Sequence, residues 1–166
     1  MTEPLTITIP LTPPAALRPN RNRTGFQSRF TTKDAEAQVA RATRAGITNL
    51  RAAADGPLPE PYFTDRVTAV VTVYKRKGGQ SWDGDNLNAA LKRCVFDVLQ
   101  AEGIVANDRL LDILPPVWKR DPDGLGYMVL SLTPDRCPCC DGKGCPDGWG
   151  FGASCSHRVV QSPRTS

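Results

Sequence analysis

Nowhere in the chain do about 18 apolar residues run together, the length a membrane-spanning helix requires, so the sequence offers no transmembrane segment. The amino terminus, MTEPLTITIPLTPP, lacks the basic start, unbroken apolar stretch and small-residue cleavage site of a secretory signal, which makes the cytoplasm the expected location. Cysteine is nearly absent from most of the sequence: of the 6 cysteines only Cys94 precedes residue 137. Disulfides are therefore not expected to hold the main body together, and a reducing compartment disfavours them in any case. With 166 residues there is room for one core of ordinary size and a tail, but not for two full-sized cores. A hydrophobic share of 40% beside 23% charged residues is that of a globular chain.

The net charge of +4 conceals an uneven distribution. Lys and Arg outnumber Asp and Glu over residues 1–77, and the order reverses over residues 83–123. A basic first half thus leads into an acidic centre, either an uneven solvated surface or an arrangement of cations around a carboxylate site.

Hydrophobic periodicity predicts the elements. LTITIPL alternates Leu5, Ile7 and Ile9 with threonine, the pattern of a half-buried strand. From Pro13 to Phe30 the sequence is rich in Pro, Asn and Arg without periodicity, and reads as an extended basic loop carrying Arg18, Arg21, Arg23 and Arg29. A helix is expected from about Thr32, with Val39, Ala42, Gly46 and Leu50 on one side, ending near the DGPLPEP breaker. VTAVVTVY, from Val67 to Tyr74, is the run of a buried strand and is followed at once by Lys75, Arg76 and Lys77. Leu87, Ala90, Leu91, Cys94, Val95, Val98 and Leu99 form the stripe of an amphipathic helix closed by Gly103, with Cys94 as core packing. Ile113 to Lys119, interrupted by Pro115 and Pro116, is an expected edge strand, and Tyr127 to Thr133 a last strand. The order β-α-β-α-β-β predicts an α/β fold, a mixed sheet with helices packed on it.

The segment SWDGDNLN opens the second helix, and its Asp83 and Asp85 flank one glycine. In extended backbone, side chains two apart point the same way, so both carboxylates can face one cation while Gly84 admits close approach to the backbone. Such oxygen ligands suit Mg²⁺, which uses one or two carboxylates and completes its shell with water and phosphate; Mn²⁺ is a possible substitute. Asn86 is a candidate cap for that helix, and DGDN is also what an ordinary capping turn looks like. Asp108, in the turn GIVANDRLL, is the third carboxylate, and joins the others only if the chain folds back. An EF-hand loop is excluded, because Asn88 stands where its obligatory glycine belongs.

Read as a unit, DGDNLNAALKRCVFDVLQAEGIVAND resembles the central motif of RusA-type Holliday junction resolvases. The matched features are Asp83, Asp85, Asn86 and Leu87, then Lys92, then Phe96, Asp97 and Leu99, then Gly103 and Asp108. ITIPLTPPAALRPNRNR resembles that family's first strand and basic loop, so the resemblance spans roughly residues 5–133, or a domain of residues 1–134. It implies an α/β homodimer that nicks four-way DNA junctions in pairs during recombination and repair, with Asp83, Asp85 and Asp108 as metal ligands and catalytic residues. Lys92 is implied as the helix cation, and because this chain carries about one extra helical turn, Arg93 competes for that place. Arg18, Arg21, Arg23, Lys75, Arg76 and Lys77 are the candidate DNA contacts, since phosphate contacts position a protein without reading bases. Two symmetric cuts need two sites, which favours a symmetric dimer.

After Pro134 the composition changes to a Cys- and Gly-rich appendage, residues 135–158, with a tail of residues 159–166 expected to be disordered. Cys137, Cys140, Cys155 and His157 have the residue types and spacing of a structural tetrahedral Zn²⁺ site, with Cys145 able to replace one of the last two. CPCCDGKG also resembles a single zinc repeat of the DnaJ chaperones. Two other functions fit the same residues: a nucleic-acid-binding module without catalysis, and a magnesium-dependent phosphohydrolase acting on small phosphate esters.

Overall fold

In a computed structural model of the chain, the residues described are 3–17, 26–78 and 83–135, excluding the side chains of residues 26–30. The chain divides into two units, Met1–Asp135 and Arg136–Ser166, and the second lies wholly outside the described residues. The order of elements is β1 (Leu5–Ile9), α1 (Phe26–Ala53), β2 (Val67–Lys75), α2 (Gly84–Leu91), a π-helical turn (Lys92–Phe96), α3 (Asp97–Ala101), β3 (Leu111–Ile113), β4 (Val117–Arg120) and β5 (Tyr127–Pro134). Short 3₁₀ turns lie at Ala15–Leu17 and Asp108–Leu110. The fold is mixed α/β, and no described helix is long and apolar enough to cross a membrane.

The sheet is built on β2, the strand of β-branched residues. Its partner on one side is β5, antiparallel, with Val71 opposite Leu130, and β1 extends the sheet beyond β5 with Ile7 opposite that same Leu130. On the other side β3 and β4 pair in parallel with successive halves of β2, Val67–Ala69 and Thr72–Lys75. The single edge strand expected over Ile113–Lys119 is therefore two strands. Pro115 and Pro116, which have no N–H to give to the ladder, occupy the break between them.

Alternate residues of three strands, Leu5, Ile7 and Ile9, Val67, Ala69, Val71 and Val73, and Met128, Leu130 and Leu132, are buried in one cluster with helix residues Val39, Ile47, Leu87, Leu91 and Leu99. The period-2 and period-3.6 patterns read from sequence meet in this layer. Helix α1 begins at Phe26, six positions before the expected Thr32, so Phe26–Phe30 and Arg29 belong to the helix and not to the basic loop. FQSRF contains no helix breaker, and five residues are too few to show a helical period. The helix lies directly on β1, where a Cβ at Gly46 would stand 3.0 Å from the Ile7 side chain.

The second helical segment departs from a plain α-helix. In an unbroken α-helix Phe96, nine residues after Leu87, would fall about 180° away on the solvent side. The π-turn takes up the extra residue: the Asp97 N–H donates to the Lys92 carbonyl, five residues back, and Phe96 is buried beside Cys94 and Val95. The fully buried Thr43 hydroxyl of α1 lies 2.9 Å from its own helix's Val39 carbonyl and 3.1 Å from the Cys94 carbonyl inside that turn, tying the two helices together.

Candidate functional site

Asp83 occupies the cap position of α2, with extended backbone (φ −60°, ψ 137°), and its carbonyl accepts the Leu87 N–H at 3.0 Å. Asn86 is inside the first turn and is not the cap. An aspartate in this position ordinarily turns its carboxylate back onto the helix N–H groups, yet Asp83 makes no such bond. Asp85 lies one residue into the helix and is likewise exposed. Neither carboxylate has a hydrogen bond or ion pair with another described residue. Two uncommitted acidic groups thus stand at a helix amino terminus, where the backbone dipole favours negative charge. Gly84 between them is closely packed: a Cβ there would lie 3.0 Å from the Pro116 ring.

From that point α2 runs along the β3–β4 edge. The Asn88 amide donates to the Leu114 carbonyl at 3.2 Å, which fixes the amide's orientation and leaves its buried Oδ1 without a partner among the described residues. Lys92, seven residues after Asp85 and so on the same helical face about 10 Å further along, places its Nζ 4.0 Å from Asp108 Oδ2. Arg93 is exposed and makes no ion pair with a described residue. Of the two competing cations, Lys92 is the one brought to a candidate carboxylate. Asp97 is exposed, without a side-chain partner among the described residues.

After α3 the chain turns back and brings Asp108 to Lys92. Gly103, at φ 67°, ends α3, and the Ile104 N–H donates to the Leu99 carbonyl at 2.8 Å. Val105 then bridges to Phe63, and the Asn107 side chain accepts the Arg109 N–H at 2.9 Å, capping the 3₁₀ turn. The Gln100 side chain accepts the Asp108 N–H at 3.0 Å, so α3 and the turn hold that backbone from both sides. Gln100 and Asn88 carried no sequence signal.

Asp108 meets Lys92 and does not join Asp83 and Asp85 in one group. No group of three or more His, Cys, Asp or Glu side chains that could hold one metal ion forms among the described residues. The exposed Asp83 and Asp85 by themselves are a donor set of the kind magnesium takes, one or two carboxylates completed by water and phosphate. No family model matches this chain, and no curated protein matches it.

Of the basic candidates, Lys75 ends β2, and Arg76 and Lys77 follow it, exposed. Arg18, Arg21 and Arg23 lie outside the described residues, as do Cys137, Cys140, Cys145, Cys155 and His157. A groove of about 460 Å³ is lined by Arg51, Glu60, Gln100 and Glu102. Its charges are mutually satisfied, Arg51 with Glu60 at 2.7 Å and Arg44 with Glu102 at 3.0 Å, so it offers no reactive group.

Proposed function

We propose that this protein is a metal-dependent endodeoxyribonuclease of the RusA type, which resolves Holliday junctions by paired symmetric nicks. The observation that carries the reading is the aspartate that fails to cap: Asp83 and Asp85 stand exposed and unpaired at the start of the one helix that also aims Lys92 at Asp108. If the acidic centre were only capping chemistry, Asp83 would be bonded to its own helix.

In this reading Asp83 and Asp85 would hold Mg²⁺, or Mn²⁺, and Asp108 would join them as third carboxylate only when the ion and the phosphate draw the two groups together. Held there, the ion would supply Lewis-acid chemistry, polarising the phosphoryl oxygen and offsetting charge on the leaving 3′ oxygen. Lys92, more than half exposed and oriented by Asp108, presents its ammonium to the same phosphate. Lys75, Arg76 and Lys77 bind flanking phosphates, with Arg18, Arg21 and Arg23 as further contacts, and a homodimer presents two such sites to a two-fold junction. The C-terminal Cys137, Cys140, Cys155 and His157, or Cys145 in place of one, hold a structural Zn²⁺. The protein works in the cytoplasm.

One second reading is a nucleic-acid-binding module without catalysis, since Asp108 does not join Asp83 and Asp85 in one group among the described residues. Cleavage of a labelled synthetic four-way junction in Mg²⁺ decides between them, with linear duplex as control. Paired nicks near the crossover, lost in Asp85→Asn, are the result expected of the nuclease. Tight junction binding with no cleavage in either Mg²⁺ or Mn²⁺ transfers the protein to the second reading.

A further inference from the structure

Leu125 is 82% exposed, well beyond the next large apolar side chains, Val117 at 41% and Leu114 at 40%. A single exposed leucine ordinarily needs no explanation. This one is held out on a loop that is built with care. The Asp121 carboxylate, in a residue only 4% exposed, accepts the Asp123 N–H at 3.1 Å and the Gly126 N–H at 2.6 Å, closing the loop from within. The Asp121 N–H donates to the Lys75 carbonyl at 3.0 Å, tying the loop to the end of β2. Gly124 and Gly126 have φ of 75° and 79°, conformations that side-chain-bearing residues rarely adopt, and a Cβ at Gly126 would lie 3.2 Å from the Arg76 N atom. Where the loop rejoins the sheet, Tyr127 stacks on Tyr74 with ring centroids 4.4 Å apart and planes 9° from parallel.

The surroundings of this tip are cationic. The β2–β4 register sets Lys119 beside Tyr74 and Arg120 beside Lys75, and Lys119 Nζ lies 5.8 Å above the Tyr74 ring. Lys119 and Arg120 are exposed, and Arg76 and Lys77 continue the same end of the sheet. Asp121 is turned inward onto backbone N–H groups, which leaves Asp123 as the acidic side chain displayed among them. A rigid apolar tip in a collar of Lys and Arg matches a partner with phosphates around exposed, unstacked bases. A lipid surface is a poorer match, because one leucine is too little apolar area to insert.

We infer that the Asp121–Gly126 loop is a DNA-contact element, in which Leu125 packs against bases exposed at a branch point while Arg76, Lys77, Lys119 and Arg120 hold the phosphates on either side. The inference deepens the nuclease reading and rests on its DNA substrate. It predicts a preference for branched over linear DNA that originates outside the carboxylate site.

The test uses the full chain and a four-way junction with 2-aminopurine beside the crossover, first without divalent metal and then with Mg²⁺. Wild-type protein is expected to raise the 2-aminopurine fluorescence on binding. Leu125→Ser is expected to bind the junction about tenfold more weakly, the loss associated with one leucine's burial, and to leave the fluorescence near that of free DNA. Leu125→Met should restore both, and linear duplex binding should change less than the junction's. Lys119→Ala and Arg120→Ala should weaken binding to every DNA alike and flatten its salt dependence. Unchanged junction affinity and fluorescence in Leu125→Ser overturn the inference while wild-type cleavage leaves the nuclease reading standing. So does a loss of self-association in that variant, which would place the tip between copies of the chain. A wild type that binds no DNA overturns both.

Discussion

Replacing Gly46 by alanine sets two physical effects against each other, and the structure says which wins. In the interior of an exposed helix the change is favourable by about 1 kcal/mol, because glycine has more backbone freedom to lose. Gly46, however, is where α1 touches β1. The added Cβ would press on the Thr8 carbonyl closer than real Cβ atoms approach, and would stand 3.0 Å from the Ile7 side chain. The Thr8 carbonyl cannot easily retreat, since β1 is paired with β5 along its whole length, from Leu5 opposite Leu132 to Ile9 opposite Met128. Overpacking against backbone of this kind costs about 1–3 kcal/mol, and the upper part of that range applies here. The net expectation is a destabilisation of about 1–2 kcal/mol, or a fall in Tm of roughly 3–8 °C. Urea unfolding of Gly46→Ala measures it. Ala45→Gly, at an exposed position in the same helical turn, measures the propensity effect alone, about 1 kcal/mol in the destabilising direction. A Gly46→Ala protein more stable than wild type would refute the close helix–strand contact and the packing argument with it.

Lys92→Ala should leave the urea midpoint nearly unchanged, because a pair whose lysine is 64% exposed contributes little to stability. Single-turnover junction cleavage by the same variant should fall on the order of a hundredfold, the usual effect of removing one group that stabilises transition-state charge, and Arg93→Ala should cleave normally. Cys94, 1% exposed, has its thiol pKa pushed from 9.0 up to about 12, first by burial and then by the charge of Glu36. A raised native pKa means that its contribution to stability is intact below pH 9.0 and is lost as pH climbs toward 12. Native protein at pH 8 should therefore leave Cys94 unalkylated until unfolded, and from pH 9 to 11 wild type should lose stability more steeply than Cys94→Ala. Equal slopes would show that the thiol is not held neutral by the fold.

What periodicity can carry, it carried. Leu5, Ile7 and Ile9 are buried as the alternation requires, and every residue of the Leu87–Leu99 stripe is at least half-buried. Phe96 was invisible to that pattern because the π-turn changes the phase of the helix, and a stripe counted at 3.6 residues per turn has no place for an inserted residue. Gly46 was placed on the packing side of α1, as the fold has it, but no propensity scale says that its missing side chain is what lets α1 meet β1. The start of α1 was missed because one turn ahead of the periodic stretch is too short to show a period of 3.6 residues.

The site was legible in its residue types and only partly in its geometry. DGDN at a helix start and an aspartate after a glycine turn can be read from the chain, and the fold places Asp83 at the cap of α2, Asp85 in its first turn and Asp108 across from Lys92. Their mutual distance depends on the exit angle of α3 and on how Gln100 and Asn107 hold the intervening turn, which no local pattern encodes. The choice between Lys92 and Arg93 was undecidable by counting, since neighbours on a helix differ by about 100° in direction and a shift of one residue in alignment exchanges them. What the fold adds is a contact: Lys92 Nζ stands 4.0 Å from Oδ2 of Asp108, whose backbone is held by bonds of its own, and Arg93 makes no ion pair with a described residue. Because the Asp108 end is held independently of the cation, losing the lysine should empty the contact without moving the aspartate, which is why its loss should be felt in cleavage and not in stability.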